Sequence, residues 1–381
     1  MRSVRLRVLG TLLGMGLATG CAGAPSGGPA ATATPPPAGA SARPTAAAVA
    51  PAPATSAPPA ATVVRLGSQR LAVQAPIYIA DELGYFQQEG IEVEYVTFSS
   101  ASEMIPAAAT GQLEAVPMPA NPAMWNAVAR GVPIKVVLDQ GTYRADQSEQ
   151  ALAVRKALYD SGQVRRLEDL RGRPVAITPP GKATTSGCAL SVALQRVGMT
   201  LDDLDIQPVP FPDMVAAFAN GAVDAGMSVE PFLTRAIQQG TVVRLLTVGE
   251  MYPNFTIATL GFADALYNNR PLAKGFVRAY IRAIRTYQAA LNGAPSDAPL
   301  EQLQEIISRG TGLDVATVAA STPPYFNPNG LPNQESMRYC YQFFRDQGLI
   351  PQPVSDAAMQ ALWGTELVNE VLAEIGRAPE S

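Results

Sequence analysis

The sequence predicts an α/β protein of two lobes, with mixed sheets flanked by helices and a helical C-terminal region. Three observations predict it. β-rich and helical segments alternate from residue 62, the alternation restarts near residue 150, and after residue 262 only helical patterns follow. Strand–helix alternation is the signature of a mainly parallel sheet covered by helices. Residues 62–381 are too many for one small core and suit two.

In the first unit, "TVVRLGSQ" (62–69) is β-rich and ends in small polar residues. "PIYIADELGYFQQEG" (76–90) opens with Pro and closes with Gly, favoured at the two ends of a helix. "IEVEYVTF" (91–98) alternates apolar and polar residues as a strand does. "SASEMIPAAATGQL" predicts a helix that Ser102 could cap, despite Pro106. "EAVPMP" and "IKVVLDQ" are strands, with the helix "PAMWNAVARG" (122–131) between them.

The second unit begins with the strand "QALAVRK" (150–156). "RLEDLRGRPVAITPPGKATTSGCALSVALQRVG" then predicts a short helix, a strand, a Gly-rich loop and a helix. "DIQPVPF" and "AVDAGMS" are strands around the helix "PDMVAAFANG" (212–221), followed by the helix "PFLTRAIQQG" and the strand "VVRLLT". "FTIATLGF" (255–262) is one more strand. Helices are predicted at 271–291, 300–310, 334–348 and 356–375.

The first residues have a different character. "MRSVRLR" carries three arginines and no acid, and the apolar run "VLGTLLGMGLA" is too short to span a bilayer. A basic start, a short apolar run and small residues make an export signal. "ATGC" then resembles the lipobox of bacterial lipoproteins, which makes Cys21 the lipidated residue; "AGA" at 22–24 offers ordinary signal cleavage instead. From Ala22 to Ala61 there is one charged residue, Arg43, and no aromatic. Such a segment cannot bury enough apolar surface to offset the entropy lost on ordering. Its prolines favour extended conformations, so fully extended it would reach roughly 100 Å. It reads as a tether.

Composition excludes several functions. Net charge is −4, and the leader arginines leave the rest of the chain more negative still, which gives no footprint for nucleic acid. Histidine is absent, which removes His-dependent triads, His metal sites and imidazole acid–base chemistry. Cys188 and Cys340 are far apart in sequence and are expected as buried thiols, with a disulfide as the alternative outside the cytoplasm. "PPGKATTSG" fails the phosphate-loop pattern, because Ala183 follows Gly181-Lys182 and the first Gly is missing.

Four phrases, in order, carry a family resemblance: "PIYIADELGYFQQEGIEVEYV", "AAATGQLEAVPMP", "LEDLRGRPVAI" and "AAFANGAVDAGMSVEPF". Together they resemble ABC-transporter solute-binding proteins of the nitrate/sulfonate/taurine and thiamine-pyrimidine type, from Val63 to Leu291, and "PNGLPNQES" resembles that family's C-terminal region. The resemblance implies a type II periplasmic-binding-protein fold, with two lobes joined by crossing strands and the ligand between them. With the export signal and the tether read above, the chain divides into a signal peptide (1–20), a tether (21–61), lobe 1 (62–149 and 256–381) and lobe 2 (150–255). The resemblance implies a monomeric, extracytoplasmic lipoprotein of a bacterial membrane, in the periplasm or at the cell surface. Its expected partners are a small solute, an ABC permease and an ATPase. No catalysis, cofactor or metal is expected. The alternatives are a solute sensor without transport, a structural surface lipoprotein, or an enzyme of the same fold.

In open α/β sheets ligands sit outside the carboxyl ends of strands. That rule selects Ser68, Gln69 and Gln74, then Ser99 to Ser102 with Ser99 and Ser100 foremost, Pro119 to Asn121, and Gln140 to Tyr143 in lobe 1. In lobe 2 it selects Thr178 to Ser186, with Lys182, Thr184, Thr185 and Ser186 foremost, and Ser228 to Pro231. Trp125, on the first turn of its helix, could stack on a flat ligand, or belong to the core. Lys182 and the amides of a helix start suit an anionic group, with Ser186 as a cap if the loop is only structural. Glu230 matches the family's lobe-two acid and suits an N–H donor. An organic anion such as a sulfonate and a heteroaromatic such as a pyrimidine or flavin precursor both remain open.

Overall fold

The computed structural model describes residues 61–98 and 101–379, with the side chains of Ala101 and Ser102 excepted. Cys21, the signal, the tether, Ser99 and Ser100 lie outside the described residues. Among the described residues no helix is long and apolar enough to cross a membrane.

The first unit runs β1 (Thr62–Ser68), α1 (Ala75–Glu82), α2 (Tyr85–Gln88), β2 (Ile91–Thr97), α3 (Ala101–Ala109), β3 (Ala115–Pro119), α4 (Pro122–Ala129), β4 (Ile134–Asp139) and the short β5 (Thr142–Tyr143). The second runs β6 (Gln150–Arg155), α5 (Lys156–Asp160), β7 (Pro174–Ile177), α6 (Thr185–Gln195), β8 (Asp205–Pro208), α7 (Phe211–Asn220), β9 (Ala225–Val229), α8 (Phe232–Gln238), β10 (Val242–Thr247) and α9 (Val248–Met251). The chain returns through β11 (Phe255–Thr256) and β12 (Ala258–Ala263). Helices follow: α10 (Asp264–Tyr267), α11 (Arg270–Leu291), α12 (Leu300–Thr311), α13 (Val315–Ala320), α14 (Gln334–Asp346), α15 (Asp356–Leu362) and α16 (Thr365–Ile375).

Two five-stranded sheets result, ordered β2-β1-β3-β12-β4 and β10-β6-β9-β7-β8. They are built alike. Each is parallel except for one inserted strand, β12 in the first and β6 in the second, which runs antiparallel to both neighbours. Those inserted strands adjoin the crossing. β5 and β11 pair antiparallel, Tyr143 with Phe255 and Thr142 with Thr256, as a two-stranded ribbon between the sheets. This is the two-lobed mixed α/β architecture that the sequence predicts, helical C-terminal region included.

Three segments differ from expectation. The helix expected over 76–90 breaks, because Gly84 takes the left-handed conformation (φ 74°) between α1 and α2. The strand expected over 255–262 is two, β11 in the ribbon and β12 in the sheet. The helix expected over 356–375 splits where the chain touches β4: Trp363 bridges to Val136, and Gly364 N–H donates to Val136 C=O at 2.8 Å. A Cβ at Gly364 would stand 2.6 Å from the Tyr267 ring, so this approach needs glycine.

The cores follow the sheet faces. One apolar cluster gathers α1, α11 and α16 on the first sheet. A small one lies under α7 and α8 on the second. The largest runs through both lobes, from Met118, Trp125 and Val136 through Met337, Cys340 and Phe344 of α14 to Cys188, Leu190 and Met227.

Candidate functional site

The parallel strands bring Ser68, Thr97 and Pro119 to the carboxyl edge of the first sheet, and Ile177 and Val229 to that of the second. The β5–β11 ribbon joins the two edges. Residues that the sequence singles out are therefore brought to one region, but their side chains are engaged in different ways.

In the first lobe, Gln74 is turned back into its own loop. Its Oε1 accepts from Ser68 Oγ at 2.9 Å, from the Gln69 N–H at 3.2 Å and from Tyr78 OH at 3.3 Å, while its Nε2 donates to Gly67 C=O at 3.2 Å. The amide thus holds the β1–α1 turn, with Gln69 half-buried on it. Pro119 ends β3 opposite Ala258. Asn121 caps α4, its Oδ1 accepting from the Met124 N–H at 3.0 Å. Trp125 is fully buried, its ring 5.1 Å from that of Tyr341 on α14. The indole is packed into the large core and offers no open face for stacking; among the described residues its Nε1 has no protein partner.

Tyr143, on the ribbon, is buried and donates to Gln150 Oε1 at 3.5 Å. Burial pushes its phenol well above the ordinary range, so it stays a neutral donor. Gln150 Nε2 donates to Ser186 Oγ at 2.9 Å, and that hydroxyl lies 3.2 Å from Gln150 Oε1. One chain of uncharged groups thus runs from the ribbon to the start of α6. Gln150 is absent from the residues that the sequence singles out. The strand-end rule reaches it only once β6 is known to run antiparallel, which sets Gln150 opposite Val229 at the end of β9.

At the α6 start, Thr184 and not Ser186 is the cap. Thr184 Oγ1 accepts from the Gly187 N–H at 3.1 Å and donates to Gly181 C=O at 2.8 Å. That leaves the Ser186 hydroxyl for Gln150, and Thr185 is buried beside it. Lys182 is ion-paired with Asp202 at the outer surface of the second lobe. Glu230 also has partners within the protein. Its Oε2 accepts from the Thr234 N–H at 3.0 Å, satisfying an orphan donor of α8, and its Oε1 lies 3.6 Å from Arg244 Nη2. Arg244 in turn reaches Thr322 Oγ1 at 3.3 Å. Both charged candidates therefore have counter-charges.

Two buried acids flank the ribbon. Burial pushes Asp139 up to about 7, against hydrogen bonds from the Asn327 N–H and Thr142 Oγ1 at 3.0 Å each. Burial, with Glu230 nearby, pushes Glu149 up to about 8. Among the described residues Gln140 Nε2 and Ser228 Oγ are buried without a protein partner. Among the described residues no group of three or more acidic or cysteine side chains is placed to hold a metal.

Cys188 and Cys340 are joined in a disulfide, with Cα atoms 5.7 Å apart. The expectation of two buried thiols is corrected: sequence distance says nothing of spatial distance once α14 packs on α6.

Comparison with known proteins agrees with this architecture. A model of the NMT1-like family matches residues 57–296. The riboflavin-binding protein RibY of Chloroflexus aurantiacus is 27% identical over 294 residues, which cover 74% of this chain and 79% of that protein. Among solved structures, the periplasmic nitrate-binding protein NrtA from Synechocystis PCC 6803 superposes with a TM-score of 0.66 at 16% identity, covering 83% of this chain and 89% of that one. The periplasmic aliphatic sulphonate binding protein SsuA from Escherichia coli gives 0.62 at 19% identity, covering 79% and 92%. With more than half of its length matched by the family model, and with two lobes of the type II periplasmic-binding-protein fold joined by a crossing ribbon, the chain belongs to the NMT1-like family.

Proposed function

We propose that the protein is the extracytoplasmic solute-binding component of an ABC importer. It captures a small organic solute between its lobes and presents it to a permease and ATPase, tethered to the membrane through a lipid on Cys21. It acts as a monomer, with no catalysis, cofactor or nucleic acid. The observation that carries this is the ribbon between two similar sheets, with Gln140, Tyr143, Gln150 and Ser186 around their carboxyl edges.

Of the two ligand classes, an uncharged heteroaromatic is favoured over an organic anion. Lys182 is held by Asp202 and Arg244 lies beside Glu230, so neither cation is free for a negative group, while burial favours the protonated, neutral form of Glu149, which can donate to an uncharged one. The relative named for riboflavin binding fits this class; the structural neighbours named for nitrate and sulphonate bind anions.

A thermal-shift titration with riboflavin, an alkanesulfonate and nitrate tests the proposal, since a ligand bound only by the native state raises stability by mass action. Riboflavin is expected to raise Tm and the anions to leave it unchanged. The reverse would establish the anion class, and three flat titrations would count against all three probes as ligands. With a binder in hand, Gln150→Ala is expected to weaken affinity about tenfold, the cost of one buried hydrogen bond, and Lys182→Ala to leave it unchanged. The anchor has its own test. Cys21→Ala should release the protein from the membrane fraction or block its processing, whereas a mature N-terminus at Pro25 without lipid would overturn the lipid anchor.

A further inference from the structure

The disulfide joins parts of the molecule that would otherwise be free to move apart. Cys188 lies on α6, which covers one face of the second sheet. Cys340 lies on α14, and α14 is built into the first lobe and the hinge. Its cap Asn333 donates its backbone N–H to Thr256 Oγ1 at 2.9 Å, and Ser336 Oγ accepts from the Thr256 N–H at 3.1 Å, both on β11. Tyr341 packs on Trp125 of α4, and Asn126 Nδ2 donates to Leu349 C=O at 3.2 Å just past the helix. The chain then continues into α15 and α16, which pack on β4. Beside the covalent link, Tyr339 OH donates to Gln195 Oε1 at 3.1 Å between α14 and α6.

We propose that Cys188–Cys340 is a strap across the hinge. It fixes the second lobe to a first-lobe helix on the α6 face, and so limits how far the opposite rim, between α8 and α13, can widen. That other rim is loosely filled. A groove of about 190 Å³ separates α8 from α13, lined by Pro231, Thr234, Arg235, Gln238, Ala316 and Thr317. α6 and α8 lie on opposite faces of the second sheet, so the strap and the open rim are on opposite sides of one hinge. A strap of this kind keeps the lobes near the closed arrangement without touching the ligand. Because apparent affinity scales with the fraction of binding-competent molecules, it tightens binding through population alone. This use of the strap rests on the solute-binding proposal above; its mechanical role does not.

The test places a dye pair on the full chain through a keto-bearing amino acid at the exposed positions Gln239 and Ala319, just past α8 and on α13. Single-molecule energy transfer then reads the width of the rim without any ligand. In Cys188→Ser/Cys340→Ser the distance distribution is expected to broaden and shift to longer values. A folded variant whose distribution superposes on the wild type would overturn the strap. If the serines prevent folding, Cys188→Ala/Cys340→Val keeps the site apolar and is read in the same way. The two proposals fail separately: broadening in a protein whose Tm none of the three probes shifts would keep the strap and count against those probes as ligands, and a ligand-induced Tm shift with an unchanged rim would overturn the strap and keep the binding function.

Discussion

The same six-residue signature occurs once in each lobe, as "TGQLEA" (110–115) and "NGAVDA" (220–225). In both, a helix ends on a left-handed glycine, Gly111 at φ 74° and Gly221 at φ 76°. The next N–H folds back onto the helix, Gln112 to Ala107 at 2.9 Å and Ala222 to Ala217 at 3.0 Å. A buried aliphatic follows, Leu113 or Val223, and then the acid at the amino end of a strand. The difference lies in what the acid holds. Glu114 serves one arginine, Arg65 of β1, accepting from its backbone N–H at 2.7 Å and its Nε at 3.1 Å. Asp224 serves two from different strands, Arg155 of β6 at 3.2 Å and Arg173, just before β7, at 2.9 Å. The repeated signature is therefore a clamp between neighbouring strands, at the end of each sheet away from the carboxyl edge. The shorter acid clamps more, because β6 and the segment just before β7 each bring it an arginine, whereas only β1 brings one to Glu114.

A buried acid beside the ribbon sharpens this contrast, since Glu149 has no arginine or lysine in ion-pair range among the described residues. Its folded pKa is raised from 4.5 to about 8, so its protonated form is favoured in the native state. Stability tied to it is fully present below the unfolded value and is lost as pH rises to about 8. Glu149→Gln should therefore gain in unfolding free energy over the wild type as pH goes from 5 to 8, by several kcal/mol if the whole shift is expressed. A gap that stays constant with pH would place this carboxylate in contact with solvent. The clamps come next. Asp224→Ala should cost about 3 kcal/mol in urea unfolding and Glu114→Ala about 2 kcal/mol, since charge-assisted hydrogen bonds contribute about 1.5–3 kcal/mol. Equal losses would mean that the second arginine of lobe 2 adds nothing. Smallest is the glycine pair. Gly221→Ala should cost about 1–2 kcal/mol and Gly111→Ala about 1 kcal/mol, because both are left-handed but only Gly221 has a neighbour, Arg155 Nη1, 3.1 Å from an added Cβ.

Much of this architecture is legible in the sequence, for physical reasons. Alternation in "IEVEYVTF" shows as a strand because one face is buried and the other is not. The repeated clamp shows because a left-handed turn demands glycine. What was not legible depends on contacts between distant segments. The antiparallel insertion of β12 and β6, and with it the place of Gln150, follows from the return of the chain across the ribbon. Lys182 looks like a ligand for an anion until Asp202, twenty residues on, is seen beside it. Ser186 looks like a cap until Thr184 takes that place. The disulfide depends on α14 docking on α6, which no local pattern encodes.

The interleaving of the first sheet has a consequence for how the protein is made. The second sheet is complete once residues 150–247 have emerged, because all five of its strands are contiguous in sequence. The first is not. Its β12 must insert between β3 and β4, and that strand is synthesised only after the whole second lobe. Pairing across so long a loop carries the larger closure entropy and is the slower step. The half made first is therefore finished last, and until then β3 and β4 have an open seam between them. Pulse-labelling hydrogen exchange during refolding should show β6, β7 and β9 protected before β3, β4 and β12; the opposite order would mean that the first lobe closes without waiting for its late strand.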